Sequence, residues 1–393
     1  MNFQDVKKSI MLTLAAGKTP LVVGDRGIGK TQMMKEIADS LDMMMISIGC
    51  NTLKEGEIGG LPIPYKNDKG IMVTQYAIHA KLRLIEEYLE ENPEGSVLLF
   101  FDELNRTSRE TMSELMNVIL NREINGYSLP DQVFLVAAMN PTSTTNGFEG
   151  DSSYGVTEMD AASKNRLVWL YLEQDAKSWL SWATDKPVAI TEEDKEELDL
   201  IMFDISNYET LIDERIIEFI ASTPNMLNNP REDRDVSPSG RTWQFASDIM
   251  RTFESNKKYF NTNHLDACVK GCVGDEAYIQ LMQFISNNTN PLIKPEEFWN
   301  GKQIDEELLE KFGNDTLPRQ MIMAKNIARY LSDKKRLAAG DADRLAKIYD
   351  LLPIDILLVI MRYIRDNHNT LNNKLLDNMN YLKLYREATK IAS

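Results

Sequence analysis

Two short segments place reactive residue types at spacings that suit phosphate chemistry. Gly24-Asp25-Arg26-Gly27-Ile28-Gly29-Lys30-Thr31 fits the pattern GxxxxGK[ST]. Its glycines allow successive main-chain N–H groups to turn toward one anion. The apolar run Leu21–Val23 leads into this turn, and a helical pattern follows from Thr31 to Leu41. A helix that starts there adds free N–H groups and the positive end of its dipole. Gly24, Asp25, Arg26, Gly27, Ile28, Gly29, Lys30 and Thr31 are therefore candidate nucleotide-binding residues, with Lys30 for the β- and γ-phosphates and the Thr31 hydroxyl for Mg²⁺. A glycine-rich turn with a solvated lysine is the plain alternative. A strand, turn and helix in register argue against it.

The second segment is Val97-Leu98-Leu99-Phe100-Phe101-Asp102-Glu103. An uninterrupted apolar run suits a strand buried on both faces of a parallel sheet. The two acids then emerge at the carboxyl edge, where open α/β sheets bind ligands. Asp102 is the candidate Mg²⁺ carboxylate and is expected on the strand next to Leu21–Val23. Glu103 is the candidate group that orients or deprotonates the attacking water. The rival reading is a strand capped by two solvated acids. No Asn-Lys-x-Asp tetrapeptide follows on a later strand, so ATP is favoured over GTP.

Positioning these groups requires alternating helices and strands. Helical periodicity covers Asn2–Ala16, Ala77–Glu91 and Thr107–Leu120, and further apolar strands are expected at Met43–Ile48 and Val133–Ala138. The alternation implies a parallel sheet with crossover helices. Beyond residue 175 the patterns are helical: Lys177–Ala183, Glu192–Met202, Glu209–Ala221 and Thr242–Phe253, with Thr223–Gly240 a polar loop. Residues 276–393 read as helices broken near Pro291, Pro318, Gly340 and Pro353. The segment Thr52–Tyr76 reads as a glycine-bearing hairpin, and Asn125–Asp131 as a second, shorter one.

The chain has 393 residues, 43% of them hydrophobic, enough for real cores. A net charge of −16 repels DNA phosphate unless basic residues are segregated, so nucleic acid is disfavoured against a protein partner. Three cysteines make a disulfide framework unexpected and fit a reducing compartment. With no signal-peptide layout and no membrane-length apolar run, a cytoplasmic location is expected, or a host cytoplasm if the chain is phage-encoded.

Asp102-Glu103-Leu104-Asn105-Arg106 resembles the DE-x-NR signature of the MoxR-like, dynein-related AAA+ ATPases, in the manner of a divergent, phage-type member. Val136-Ala137-Ala138-Met139-Asn140-Pro141 is similar to their sensor-1 strand. Met159-Asp160-Ala161-Ala162-Ser163-Lys164-Asn165-Arg166-Leu167 is similar to their arginine-finger segment, and Ser237-Pro238-Ser239-Gly240-Arg241-Thr242-Trp243 to a loosened sensor-2 segment. The order and spacing match over residues 5–255.

The resemblance implies an AAA+ P-loop core with a parallel sheet over residues 1–175, an α-helical lid over 176–260 and a helical C-terminal extension over 261–393. It implies catalytic roles for Glu103, for Asn140 as sensor 1, for Arg166 as a finger reaching a neighbouring subunit, and for Arg241 as the lid arginine. Two extra residues, Ser239 and Gly240, separate Pro238 from Arg241 and leave its register open. Arg106 either reaches nucleotide across the interface or pairs with an acid. The hairpin at Thr52–Tyr76 resembles the family's helix-2 insert, which faces the ring's central opening or its axial surface; an edge hairpin packed on the core is the alternative. A homo-oligomeric ring, a hexamer by resemblance, would use ATP and Mg²⁺ to remodel or mature a protein client as a chaperone, with a von Willebrand A-type partner. A DNA-directed motor or loader, and a nucleotide-gated assembly protein without turnover, are the rival classes.

His264, Cys268 and Cys272 share one helix face at i, i+4 and i+8. A zinc site would need a fourth ligand, which no neighbouring residue offers, so core packing is expected. Met33, Met34 and Met43–Met45 are expected to fill the core around the sheet.

Overall fold

The computed structural model describes residues 1–142, 145, 159–173, 212–229, 235–287, 292–301, 303–334, 337–338 and 340–391. The chain divides into two compact units, one of residues 1–216 and 223–283, the other of 217–222 and 284–393.

The first unit is built on a five-stranded parallel sheet. Its strands are β1 (Pro20–Val23), β2 (Met43–Gly49), β5 (Ser96–Asp102), β8 (Val133–Met139) and β9 (Val168–Tyr171), in the order β2-β5-β8-β1-β9. Two hairpins supply the remaining strands: β3 (Pro62–Lys66) with β4 (Met72–Tyr76), and β6 (Glu123–Ile124) with β7 (Tyr127–Ser128). The apolar runs of β5 and β8 become central strands, and Val97–Phe101 and Val133–Met139 are buried throughout. Each fully buried Val, Leu or Phe there contributes roughly 1.5–3 kcal/mol. The sheet order corrects one expectation. Asp102 does not lie on the strand beside β1, because β8 pairs with both β1 and β5 and stands between them.

Helix α1 (Phe3–Ala15) begins at Asn2, whose side chain accepts from the Asp5 amide. Helix α2 (Lys30–Ser40) follows the glycine-rich turn. Helix α3 (Ala80–Glu91) starts three residues later than its pattern suggests, capped by His79. Helix α4 (Arg109–Asn121) is capped by Ser108, which accepts from the Thr111 amide. Met33 and Met34 are buried on α2, Met43 is buried at the start of β2 and Met44 packs partly buried against the core that holds Ile46 and Phe101.

The helices Gly240–Ser255 and Thr262–Val273 belong to this same unit. Gly271 is where the second of these meets β9: a Cβ there would come within 2.2 Å of the Trp169 carbonyl oxygen. Cys268 and Cys272 are fully buried in that helix, and the Cys268 thiol donates to the Ser9 carbonyl at 3.3 Å. His264 instead points its Nδ1 at the Asn261 amide, at 3.1 Å, and its Nε2 at Asp5, at 3.5 Å.

The second unit is helical. Helices at Glu306–Gly313, Leu317–Asp333, Asp341–Tyr349, Ile354–Asn367, Asn369–Leu376 and Met379–Ile391 enclose a core with Phe298, Phe312, Tyr349 and Tyr381 at its centre. Pro318 sits in the first turn of its helix, where a missing N–H does no harm, and Pro353 caps the next-but-one helix. Within this unit Arg319 bridges Glu218 and Asp315, all three largely buried. The architecture is thus an α/β core on a parallel sheet with a helical C-terminal region, as expected. The helices expected at Lys177–Ala183 and Glu192–Met202, in the segment of the expected lid, lie outside the described residues. No helix among the described residues is long and apolar enough to cross a membrane.

Candidate functional site

The turn between β1 and α2 has the backbone its glycines allow. Gly27 has φ +72° and Gly29 φ +100°, left-handed values that a side chain would strain. Gly24 has no room for one: a Cβ would lie 3.0 Å from the Leu172 carbonyl oxygen. No side chain caps the N-terminus of α2, so its first N–H groups are left for another acceptor. The Gly24 amide also donates to the Met139 carbonyl at 3.3 Å, tying the turn to the end of β8.

Lys30 is buried beneath this turn. Its Nζ donates to the Gly24 carbonyl at 2.6 Å, the Asp25 carbonyl at 2.9 Å and Asn140 Oδ1 at 3.1 Å. Burial pushes the ammonium's pKa down, while Asp102, Asp25 and Glu103 act to raise it. Net, the site disfavours the charged lysine, and an arriving polyphosphate would restore that lost charge stabilisation.

Asp102 ends β5 with both carboxylate oxygens engaged. Oδ2 accepts from the Thr31 hydroxyl at 3.0 Å and Oδ1 from the Glu103 amide at 2.9 Å. A hydroxyl and a carboxylate in contact form a hard-oxygen pair of the kind Mg²⁺ selects alongside phosphate oxygens. Glu103 itself adopts φ 53°, ψ 42°. A left-handed glutamate costs roughly 1–3 kcal/mol and turns the chain sharply off the strand. Its Oε1 accepts from Arg106 Nη1 at 2.9 Å, so within this chain Arg106 pairs with an acid.

Asn140, at the end of β8, is 2% exposed. With Oδ1 on Lys30, its Nδ2 is buried without a hydrogen-bond partner among the described residues. Leaving such a donor unmet costs about 1–3 kcal/mol. Asn105 is fully buried beside it and donates from Nδ2 to the Asn140 main-chain carbonyl at 2.8 Å. Sequence reasoning assigned Asn105 no role. Its signal was its place in Asp102-Glu103-Leu104-Asn105-Arg106, two residues past the acids of a buried strand.

Residues 20–147 match the model of the ATPase family associated with various cellular activities (AAA). The chain is an ATPase with an AAA domain. No curated protein matches it significantly in sequence. A crystal structure of a protein provisionally described as an ATPase, from Cytophaga hutchinsonii, aligns with 72% of this chain and 92% of that one, at 14% identity and a TM-score of 0.43.

Gly24, Lys30, Thr31, Asp102, Glu103 and Asn140 thus meet at the carboxyl edge of the AAA sheet. The two expected distal arginines are placed differently. Arg166 follows the short helix Ala161–Lys164, half-buried, with its Nε buried and unpartnered. Arg241 is exposed in the first turn of its helix, whose capping box is formed by Ser239 and Thr242. Neither makes a side-chain hydrogen bond or ion pair with the Lys30–Asp102 cluster among the described residues.

The hairpin expected at Thr52–Tyr76 is present as β3–β4, with both strands largely exposed. It does not pack on the core as an edge hairpin would. Its base is fixed instead: Asn125 Nδ2 donates to the Gly59 carbonyl at 2.7 Å, and Gly60 passes so close to Ala77 that a Cβ would lie 1.7 Å from its carbonyl oxygen.

Proposed function

We propose that this AAA ATPase acts as a homo-oligomeric ring of the MoxR-like type that couples ATP hydrolysis to remodelling a protein client. The observation that carries the reading is the convergence of Lys30, Asn140, Thr31, Asp102 and Glu103 on one side of one sheet edge. In this reading the amides of Gly27–Thr31 and the Lys30 ammonium hold the β- and γ-phosphates. Thr31 and Asp102 are the residues that would hold Mg²⁺, which would neutralise charge on the phosphate oxygens. Glu103 accepts the proton of the attacking water, and its departure from Arg106 frees the carboxylate to do so. Asn140 donates to the γ-phosphate or to that water. Arg166 serves the neighbouring subunit's site, where a positioned arginine can contribute about 10³-fold or more. Arg241 closes on the γ-phosphate from the lid side.

The protein-client reading is favoured by the hairpin. Leu61, Ile63, Tyr65, Ile71 and Met72 are all exposed on or beside it. Apolar side chains suit a protein surface and offer nothing to a phosphate backbone.

The deciding experiment pairs phosphate release with sedimentation. Glu103→Gln should retain ATP and lose turnover by at least about 10²-fold, and with ATP it should sediment as a multi-subunit ring. A wild-type chain without ATP-dependent phosphate release, or a monomer under every nucleotide condition, would overturn the reading. Affinity capture on the ATP-loaded Glu103→Gln ring then identifies the client.

A further inference from the structure

The unpaired atoms around Asn140 carry one inference beyond the site residues named so far. Asn105 lies in the tight turn Leu104–Arg106, directly after the left-handed Glu103. It is fully buried, and its Nδ2 donates to the Asn140 carbonyl at 2.8 Å, while its Oδ1 has no partner among the described residues. The amide orientation is not free. Turned over, Asn105 would set Oδ1 against the carbonyl oxygen, two acceptors with no proton between them. The same logic fixes Asn140, whose Oδ1 must face the Lys30 ammonium and whose Nδ2 must face away. The outcome is an asparagine whose main chain is clamped from one side and whose side chain is oriented from the other. One buried donor is left unspent.

We propose that Asn105 is a positioning residue that holds Asn140 so that its free amide reads the γ-phosphate, making the site discriminate ATP from ADP. This rests on the reading of Asn140 as the group that meets the γ-phosphate. The clamp ties the turn bearing Glu103 to the end of β8, so the water-activating acid and the phosphate-reading amide move as one body. Without the Asn105 donor, the Asn140 carbonyl is released at the point where β8 leaves the sheet, and the side-chain amide loses its aim. The Asn105 side chain bonds the Asn140 carbonyl, and Glu103→Gln is held constant in the background, so its effect should appear where a γ-phosphate is present.

The test measures ATP and ADP affinities by calorimetry in the Glu103→Gln background, where ATP persists. The expected result for Asn105→Ala is a loss of about tenfold or more in ATP affinity with ADP affinity unchanged within about twofold, equivalent to about 1.4 kcal/mol specific to the γ-phosphate. Asn140→Ala should do the same, and the double variant should lose no more than Asn140→Ala alone. Equal losses for ATP and ADP, or additive losses in the double variant, would overturn the proposal. Asn105→Ser and the near-isosteric Asn105→Asp guard against misfolding, and failure of all three to fold would assign Asn105 to the core instead. If Asn140→Ala leaves the ATP-to-ADP ratio intact, the reading of Asn140 fails and the Asn105 proposal falls with it. An altered ratio in Asn140→Ala alone sinks only the Asn105 proposal.

Discussion

The Thr31 hydroxyl donates to Asp102 Oδ2 at 3.0 Å although β1, which leads to Thr31, and β5, which ends in Asp102, are not neighbours. Thr31 stands one residue into α2, and Asp102 is the last residue of β5. The strand between them, β8, ends at Met139 and leads straight into Asn140, so the pair lies at the end of the strand that delivers the third polar group. This geometry gives the site its order: lysine and asparagine buried below, threonine and aspartate nearer solvent.

The Thr31–Asp102 contact makes a prediction about metal dependence. Thr31→Val and Asp102→Asn each keep volume and remove one oxygen ligand. A metal's charge stabilisation of several kcal/mol corresponds to a loss on the order of 10²–10³ in turnover for either variant. Raising Mg²⁺ should restore part of the Thr31→Val loss. Phosphate release measured across a Mg²⁺ series checks this, and wild-type turnover in Asp102→Asn would remove the pair from the metal role.

Gly60 predicts a strict requirement at the hairpin base. It has φ +77°, and a Cβ would lie 1.7 Å from the Ala77 carbonyl oxygen. Gly60→Ala should destabilise the first unit by about 2–4 kcal/mol, from left-handed strain plus displaced backbone. Gly70, at the hairpin tip, has φ +74° but open space around it, so Gly70→Ala should cost only about 1–2 kcal/mol. Denaturant unfolding of the two variants tests the difference, and equal losses would contradict it.

His264 predicts a pH dependence of stability. Burial holds its pKa below the ordinary value of 6.5, against the pull of Asp5. Its neutral Nδ1 accepts from the Asn261 amide, a bond the protonated ring cannot make. The folded-state pKa is depressed, so the stabilisation is present above the unfolded value and is lost as pH falls through the folded one. As pH falls below about 6.5, unfolding free energy should decline by up to about 1.4 kcal/mol per pH unit from this group. His264→Gln should flatten that part of the profile; identical profiles would exclude the histidine as its source.

The thiols predict chemical silence. Burial pushes Cys268 up to about 12; burial with the charge of Asp102 and Glu103 does the same for Cys50; and burial holds Cys272 well above the ordinary thiol value. A maleimide at pH 8 should label none of the three in the native protein and all three in denaturant. Mass spectrometry reads the count, and rapid native labelling of Cys50 would show that the ground beneath Asp102 opens readily.

Much of this protein was legible in its order of residues. The glycine turn, the buried run ending in two acids and the strand before Asn140 are local signals, because main-chain freedom and burial on both faces are written into a few consecutive side chains. Val168–Tyr171 carries the same kind of signal, four buried or half-buried strand formers, yet its role as the fifth strand depends on pairing with Pro20–Val23 across nearly 150 residues. The sheet order has the same origin. Nothing in β1, β5 or β8 alone says which two are neighbours, since any buried apolar strand can pair with any other. Only the packed sheet put β8 in the middle. The same is true of Asn105: in the sequence it is the asparagine of the segment Asp102–Arg106 with no partner written beside it, and only its burial against the Asn140 carbonyl decides what it can hold.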